Sequence, residues 1–88
     1  MKVFTKDPSD VLDYTRNASK FLNGDTISTS TWTTESGLTI DSQTNNTTSA
    51  TVWLSGGQNG CDYIVTNRIV TAAGRTKELS FKLQVREQ

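Results

Sequence analysis

Histidine is absent from the sequence, and cysteine and proline each occur once among its 88 residues. Without histidine the chain lacks the side chain that most often serves as a general base or a metal ligand. The thiol of Cys61 has no histidine to activate it, and one cysteine cannot form a disulfide within the chain. The sequence therefore predicts a protein that is not an enzyme and that has no cofactor and no metal site.

An excess of charge of either sign is also missing, because nine basic and nine acidic side chains balance to zero. Nucleic-acid binding depends on a cationic surface, so we expect no nucleic-acid partner. No stretch approaches the about 20 apolar residues of a membrane span, so we expect no membrane partner. Lys6, Asp7 and Asp10 interrupt the apolar run of a secretory signal, and the single cysteine excludes an internal disulfide, which together favour folding in a reducing compartment.

Two small clusters contain residue types that ligand sites use. Asp7, Asp10 and Asp13 share the spacing of one helix face, but the central glycine and terminal glutamate of a calcium loop are missing. The pair Gly56-Gly57 precedes a predicted strand rather than a helix, so it forms no phosphate-binding turn. We interpret the three aspartates as solvated acids that flank a turn, and the two glycines as part of a tight link between strands.

The residues that are abundant favour strands. Serine and threonine make up about a quarter of the chain, and no window shows ten residues of helical periodicity. Leu79, Phe81, Leu83 and Val85 alternate with polar residues, which is typical of a half-buried strand. Similar patterns and turn signals predict further strands at 11–15, 27–34, 38–40, 50–55 and 61–71, the last forming an antiparallel hairpin with 76–86.

Three segments are less regular. In strand 27–34 the alternation places Trp32 on one side and Ile27 on the other. The polar run 41–49 is either a mobile loop or a weak edge strand. Segment 17–24 is predicted as one helical turn, with Asn17 as its N-cap and Gly24 after its end.

The long strand 61–71 has two different faces. Tyr63, Val65 and Ile69 share the inward face with Asn67, whose amide needs a partner and is therefore expected near a sheet end or a bulge. Thr66 and Arg68 lie on the outward face, which is available to neighbouring proteins. We interpret this strand as scaffold on one face and as a candidate interface on the other.

Two aromatic side chains are candidates for partner contacts. Trp53 points away from Val52 and Leu54, so it is exposed and able to bind a partner chain or a sugar, or else a bulge buries it. Phe4 lies in a polar N-terminal arm, where it either fills a gap in its own domain or anchors the chain on a neighbour. The candidate interface residues are Phe4, Trp53, Thr66 and Arg68.

Six or seven short strands separated by turn signals predict an all-β fold. Tyr63 at the start of strand 61–71 resembles a tyrosine corner, in which the hydroxyl returns to the backbone. We therefore predict an immunoglobulin-like antiparallel β-sandwich of about seven short strands with one short helical turn, and a small barrel is the alternative. Residues 1–10 form an N-terminal arm that could dock a partner as an added strand, and residues 11–88 form one domain.

A set of short motifs runs along nearly the whole chain: Lys6-Asp7-Pro8, Val11-Leu12-Asp13-Tyr14, Phe21-Leu22, Gly24-Asp25-Thr26-Ile27, Ser30-Thr31-Trp32, Gly37-Leu38-Thr39-Ile40, Ala50-Thr51-Val52-Trp53-Leu54-Ser55-Gly56-Gly57, Tyr63-Ile64-Val65-Thr66-Asn67-Arg68-Ile69 and Thr71-Ala72-Ala73-Gly74-Arg75. Together they resemble small bacteriophage tail proteins of the fiber-tail adaptor type. The resemblance implies a non-enzymatic virion structural protein with an immunoglobulin-like fold. It also implies partners among other tail, connector or fiber proteins, with several copies in one assembly.

Two other functions are compatible with the residues. A carbohydrate-binding module would use Trp53 and the loop 41–49 as a sugar platform, and two coplanar exposed aromatic side chains on one face would support it. A generic interaction module of a bacterial surface protein is the other alternative. The sequence offers one good aromatic candidate for a sugar platform, which favours the assembly role.

Overall fold

The computed structural model describes residues 2–87, whose regular secondary structure consists almost entirely of strands. Within these residues, seven strands and one short helix follow each other along the chain: β1 Lys2–Lys6, β2 Leu12–Asn17, α1 Ser19–Leu22, β3 Ile27–Thr34, β4 Leu38–Asn45, β5 Ser49–Gly56, β6 Asp62–Thr71 and β7 Thr76–Val85. No helix in this part of the chain is long and apolar enough to cross a membrane.

The strands form two sheets packed as a sandwich. One sheet has the order β1-β7-β6-β3 and the other the order β2-β5-β4. Apart from β1, this is the strand arrangement of immunoglobulin domains. All neighbours are antiparallel except β1, which runs parallel to β7 from Lys2↔Phe81 to Lys6↔Val85. The predicted sandwich is confirmed, with one parallel pair, and the small barrel is not formed.

Two apolar clusters fill the space between the sheets. The larger cluster is made of Trp32, Leu38, Ala50, Val52, Leu54, Tyr63, Val65, Phe81, Leu83 and Val85. The smaller one, under α1, is made of Ala18, Leu22, Ile27 and Ile69. The alternation read from β5, β6 and β7 is confirmed, because their predicted inward apolar residues are buried in the clusters, with one exception. Leu79 of β7 lies on the inner face but is 52% exposed.

The tyrosine corner is also present. The backbone N–H of Gln58 donates to Tyr63 Oη at 3.0 Å, while the tyrosine ring is buried in the larger cluster. The link between β5 and β6 passes close to β7. A Cβ added to Gly57 in this link would lie 2.7 Å from Val85 Cγ2. Glycine at position 57 is therefore required both by its φ of +90° and by the space available.

The predicted alternation in β3 is wrong. The register between β3 and β6 shifts between Ile27 and Thr29. This bulge adds one residue to the strand, so Ile27 and Trp32 both point inward instead of lying on opposite faces. The inward position of Trp32 agrees with the buried tryptophan that immunoglobulin domains carry on the corresponding strand.

The helical turn is present, but the predicted N-cap is off by one residue. Asn17 is the last residue of β2 and pairs with Ser49, so the N-cap position falls on Ala18. Asn17 Oδ1 still accepts a hydrogen bond from the Ser19 N–H at 3.0 Å. The helix ends at Leu22, and its C-cap Asn23 has a left-handed φ of 46° and is followed by Gly24.

Of the two interpretations of segment 41–49, the edge strand is the one observed. β4 continues to Asn45 along β5, with its outer side exposed. The tight turn that follows is held by Asn46 Oδ1, which accepts hydrogen bonds from the N–H groups of Thr48 and Ser49. The predicted strand at 11–15 corresponds to β2, which pairs with the other side of β5.

Candidate functional site

Trp53 lies on the outer face of the β2-β5-β4 sheet. Its side chain is 41% exposed and stands between Asp13 of β2 and Ser42 of β4. The register shift in this sheet occurs in β4, between Ile40 and Ser42, and leaves the alternation of β5 intact. Of the two interpretations of Trp53, the exposed one is correct, whereas its role as a partner contact stays a prediction.

Thr66 and Arg68 lie on the outer face of the opposite sheet. The hydroxyl groups of Thr66 and Ser80 are 2.8 Å apart, and Arg68 Nε lies 4.0 Å from Glu78 Oε2 in a pair whose side chains are both more than half exposed. An exposed pair of this length contributes little to stability. The structure therefore separates these two residues from Trp53 by the full thickness of the sandwich.

Phe4 lies on β1, at the side of the sandwich where the edge strands β1 and β2 face each other. Its ring centroid is 5.2 Å from those of Tyr14 and Phe81, and 37% of the side chain remains exposed. Phe4 thus covers part of its own core and keeps an accessible surface. The candidate interface residues occupy three different surfaces and do not form one site.

A groove opens between the sheets next to Phe4. It has a volume of about 700 Å³, and its lining includes Tyr14, Arg16, Trp32, Asn67, Leu79 and Phe81. On the opposite side of the sandwich β3 and β4 lie against each other, so no comparable gap separates the sheets there. This groove was not predicted from the sequence.

The floor of the groove contains a polar layer that joins the sheets. Asn67 is fully buried, and its Nδ2 donates to Ser30 Oγ at 2.9 Å and to the Thr31 carbonyl at 3.3 Å. Arg16 Nη1 reaches across from β2 and donates to Asn67 Oδ1 at 3.1 Å. The expectation of a sheet end or bulge near Asn67 is wrong. Asn67 pairs with Trp32 in the middle of β6, and its amide finds its partners on two other strands, β2 and β3.

Several groups in the groove are held away from water. Burial lowers the pKa of Arg16. Burial also raises the pKa of Tyr14, and the charges of Asp10 and Asp13 raise it further. Tyr14 Oη and Trp32 Nε1 are buried and have no hydrogen-bond partner among the described residues. The lining of the groove therefore combines a partly buried guanidinium group with two residues whose buried polar atoms have no partner among the described residues.

Lys6 is a structural residue that the sequence analysis missed. Its side chain is completely buried at the end of β1, and Nζ donates to the carbonyl oxygens of Gly56 at 2.7 Å and Asp7 at 2.8 Å. Burial lowers the pKa of this amine, although Asp10, Asp7 and Asp41 act in the opposite direction. A lysine next to Asp7 and Pro8 gives no sequence signal of burial, because its burial depends on where Gly56 lies in the other sheet.

The acidic residues near the N-terminus form a turn. Asp7 Oδ1 accepts hydrogen bonds from the N–H and the hydroxyl of Ser9, and the Asp7 N–H donates to Asp10 Oδ2 at 3.3 Å. Across residues 2–87 no group of three or more histidine, cysteine, aspartate or glutamate side chains is arranged to hold a metal ion.

The comparisons with known proteins identify a family. A search among curated proteins finds no match. The family model described as "Podophage GP4 fiber-tail adaptor protein gp77" matches residues 6–84. The match extends from the buried Lys6 at the end of β1 to Gln84 near the end of β7, and so includes the other six strands apart from Val85. The chain belongs to the podophage GP4 fiber-tail adaptor family, gp77.

Proposed function

We propose that this protein is a non-enzymatic structural component of the phage virion that joins fiber to tail by protein–protein contacts. The observation that carries the proposal is the family match over residues 6–84, which leaves out only a few residues at each end. The partners are other virion proteins of the tail, connector or fiber, and the protein acts in several copies after folding in the host cytoplasm.

The placement of the candidate contact residues supports a joining role. Trp53 lies on one outer face of the sandwich, whereas Thr66 and Arg68 lie on the other. A protein that connects two components needs two surfaces that can be occupied at the same time. Contacts on opposite faces satisfy this requirement, and each specific contact should bury on the order of 1,000 Å² in total.

Sugar binding is not favoured by any observation. Within residues 2–87, Trp53 is the one aromatic side chain on the outer face of the β2-β5-β4 sheet, since Tyr14 of β2 points inward beside Phe81. A flat sugar platform built from two aromatic side chains is therefore not formed on this face. The segment that was expected to complete the platform is the edge strand β4.

Deletion of the gene from the phage tests the proposal. Particles would be purified from a host that carries an empty plasmid and from a host that supplies the protein, and their fibers counted by electron microscopy. We expect particles without the protein to contain DNA and a tail but no fibers, and the supplied protein to restore the fibers. Equal numbers of fibers on both kinds of particle would contradict the proposed function.

A further inference from the structure

One edge of the four-stranded sheet is only half covered. β1 pairs with β7 from Lys2↔Phe81 to Lys6↔Val85. Residues 76–80 of β7 therefore have no strand beside them on that side within the described part of the chain. An uncovered edge presents unpaired backbone N–H and C=O groups to another extended chain. We call residues 76–80 the free edge.

Hydrogen bonds near the end of β7 show which backbone groups face the free edge. The N–H of Val85 donates to the Cys61 carbonyl just before β6, whereas the N–H of Arg86 donates to the Lys6 carbonyl of β1. Successive residues of a strand direct these groups to opposite sides, and the register between β6 and β7 is unbroken. The N–H groups that point to the free edge are those of Thr76, Glu78 and Ser80.

Leu79, within the free edge, is more exposed to solvent than an inward-facing residue of a strand normally is. Leu79 pairs with the buried Asn67, so both side chains lie on the inner face of the sheet. Leu79 is nevertheless 52% exposed, because the groove separates it from β2. An apolar side chain of an added strand could cover it.

The groove next to Leu79 also contains an unneutralised positive charge. Arg16 donates to Asn67, and none of the ion pairs in the described residues involves it. Trp32 also lines the groove, and its buried Nε1 has no hydrogen-bond partner among the described residues. Lys2 and Asp13 also line the groove, so two cationic groups and one carboxylate leave its lining with a net positive charge. A partly buried guanidinium is best stabilised by a carboxylate, which forms charge-assisted hydrogen bonds with it.

We propose that an extended segment of a partner virion protein binds along the free edge as an added strand that continues the line of β1. The proposal rests on the proposed function and adds to it the surface and the chemistry of the partner. The segment combines apolar side chains, which cover Leu79 and Phe81, with a carboxylate that pairs with Arg16. Strand addition supplies backbone hydrogen bonds for affinity, and the groove supplies specificity through side chains.

Two substitutions test the proposal, each with a matched control. Glu78→Pro removes an N–H of the free edge without removing a hydrogen bond to β6, and Glu78→Thr loses the same carboxylate but keeps the N–H. Leu79→Asp places a carboxylate beside Arg16 and repels an acidic partner, whereas Leu79→Met keeps the apolar contact. Because both positions are more than half exposed, all four variants should fold, which thermal melting checks.

The probes are the particles without this protein and the fibers, each purified from the phage that lacks the gene. We expect Glu78→Pro and Leu79→Asp to bind one of these probes about tenfold more weakly than the unaltered protein does. This change in affinity corresponds to the loss of roughly one hydrogen bond or apolar contact. The affinities of the two control variants for this probe should lie within about threefold of the affinity of the unaltered protein. Hydrogen exchange of the Thr76, Glu78 and Ser80 amides should slow when that probe is bound.

The outcomes separate this proposal from the proposed function. If folded Glu78→Pro and Leu79→Asp variants bind both probes like the unaltered protein, the free edge is not the docking site, although the adaptor function stands. Slow exchange of residues 76–80 in a dimer of the protein alone would assign the edge to a second copy and overturn the proposal. If the unaltered protein binds neither probe, the proposed function fails and this proposal fails with it.

Discussion

At the scale of single residues, Asn67 and Arg16 hold a polar connection through an otherwise apolar interior. Asn67 lies between the inward-facing Val65 and Ile69, and so separates the larger cluster from the smaller one. Its hydrogen bonds to Arg16 and Ser30 compensate for the cost of burying its amide. The same bonds fix the position of Arg16 at the floor of the groove.

Replacement of Asn67 should therefore be costly. We expect Asn67→Ala to lower the free energy of unfolding by about 2–3 kcal/mol, because the Arg16 guanidinium and the Ser30 hydroxyl lose a buried partner. Thr66→Ala, one residue away on the outer face, should cost less than about 1 kcal/mol. Urea denaturation of the two variants measures the difference. Equal stabilities would show that the polar layer does not hold the sheets together.

Lys6 provides a second prediction at this scale, because burial changes its protonation. The folded-state pKa of Lys6 is lowered below its ordinary value of 10.5. The unfolded chain therefore binds this proton more tightly than the folded protein does. Between the folded-state pKa and 10.5, the contribution of Lys6 to the free energy of unfolding rises with pH, and below that range it stays at its minimum.

A lysine-to-methionine comparison isolates this contribution. We expect the free energy of unfolding of the unaltered protein, relative to Lys6→Met, to increase as pH rises toward 10.5. Taking the difference removes the contribution of Tyr14, whose pKa is raised by burial. Urea denaturation of both proteins at a series of alkaline pH values measures this difference in the free energy of unfolding. A difference that is constant or falls over this range would show that burial does not govern the lysine amine.

At the scale of elements, the link between β5 and β6 sets the position of the tyrosine corner. Gly57 and Gly60 both have left-handed backbones, with φ of +90° and +88°. A Cβ at Gly57 would meet Val85 Cγ2 at 2.7 Å, whereas a Cβ at Gly60 would meet no atom within 4 Å. The two glycines thus differ in packing and not in backbone conformation.

This difference predicts unequal effects of the same substitution. Gly60→Ala should lower the free energy of unfolding by about 1 kcal/mol, the cost of a left-handed backbone for alanine. Gly57→Ala should cost about 1–3 kcal/mol more, because the added methyl group displaces β7 at Val85. Thermal unfolding followed by circular dichroism compares the two variants. The same loss in both would mean that the link is free to move away from β7.

Elements with regular alternation could be predicted from the sequence, and those with local irregularities could not. The inward faces of β5, β6 and β7 follow from the period of two, and the tyrosine corner follows from Tyr63 at the start of β6. The bulge in β3 could not be predicted, because serine and threonine fit either face of a strand. The N-cap was displaced because the β2 ladder extends to Asn17.

The groove and the free edge depend on how strands that are far apart in sequence are placed next to each other. The alternation of Val52, Trp53 and Leu54 left Trp53 either exposed or buried by a bulge, and the observed register of β5 selects the exposed position. The free edge could not be derived, because it depends on β1 beginning opposite Phe81 rather than further along β7. Likewise, the partner of Asn67 is Arg16, 51 residues away, and no local pattern connects them.

At the scale of the whole molecule, the sandwich is elongated, with extents of 42 × 22 × 19 Å, and presents different surfaces on different sides. Trp53 occupies one outer face, Arg68 the other, and the free edge with its groove lies between them at the side formed by β1 and β2. This arrangement allows two partners to bind without competing for the same residues. It agrees with a family whose members are described as fiber-tail adaptors.

The most direct test of the joining role is a sedimentation measurement. Purified fibers would be mixed with particles that lack the protein, increasing amounts of the purified protein would be added, and the fiber that sediments with the particles would be quantified. The adaptor function predicts that fiber sediments only when the protein is present and that its amount reaches a plateau at a fixed ratio of protein to particle. Fiber that sediments equally well without the protein, or protein that binds particles without retaining fiber, would contradict it.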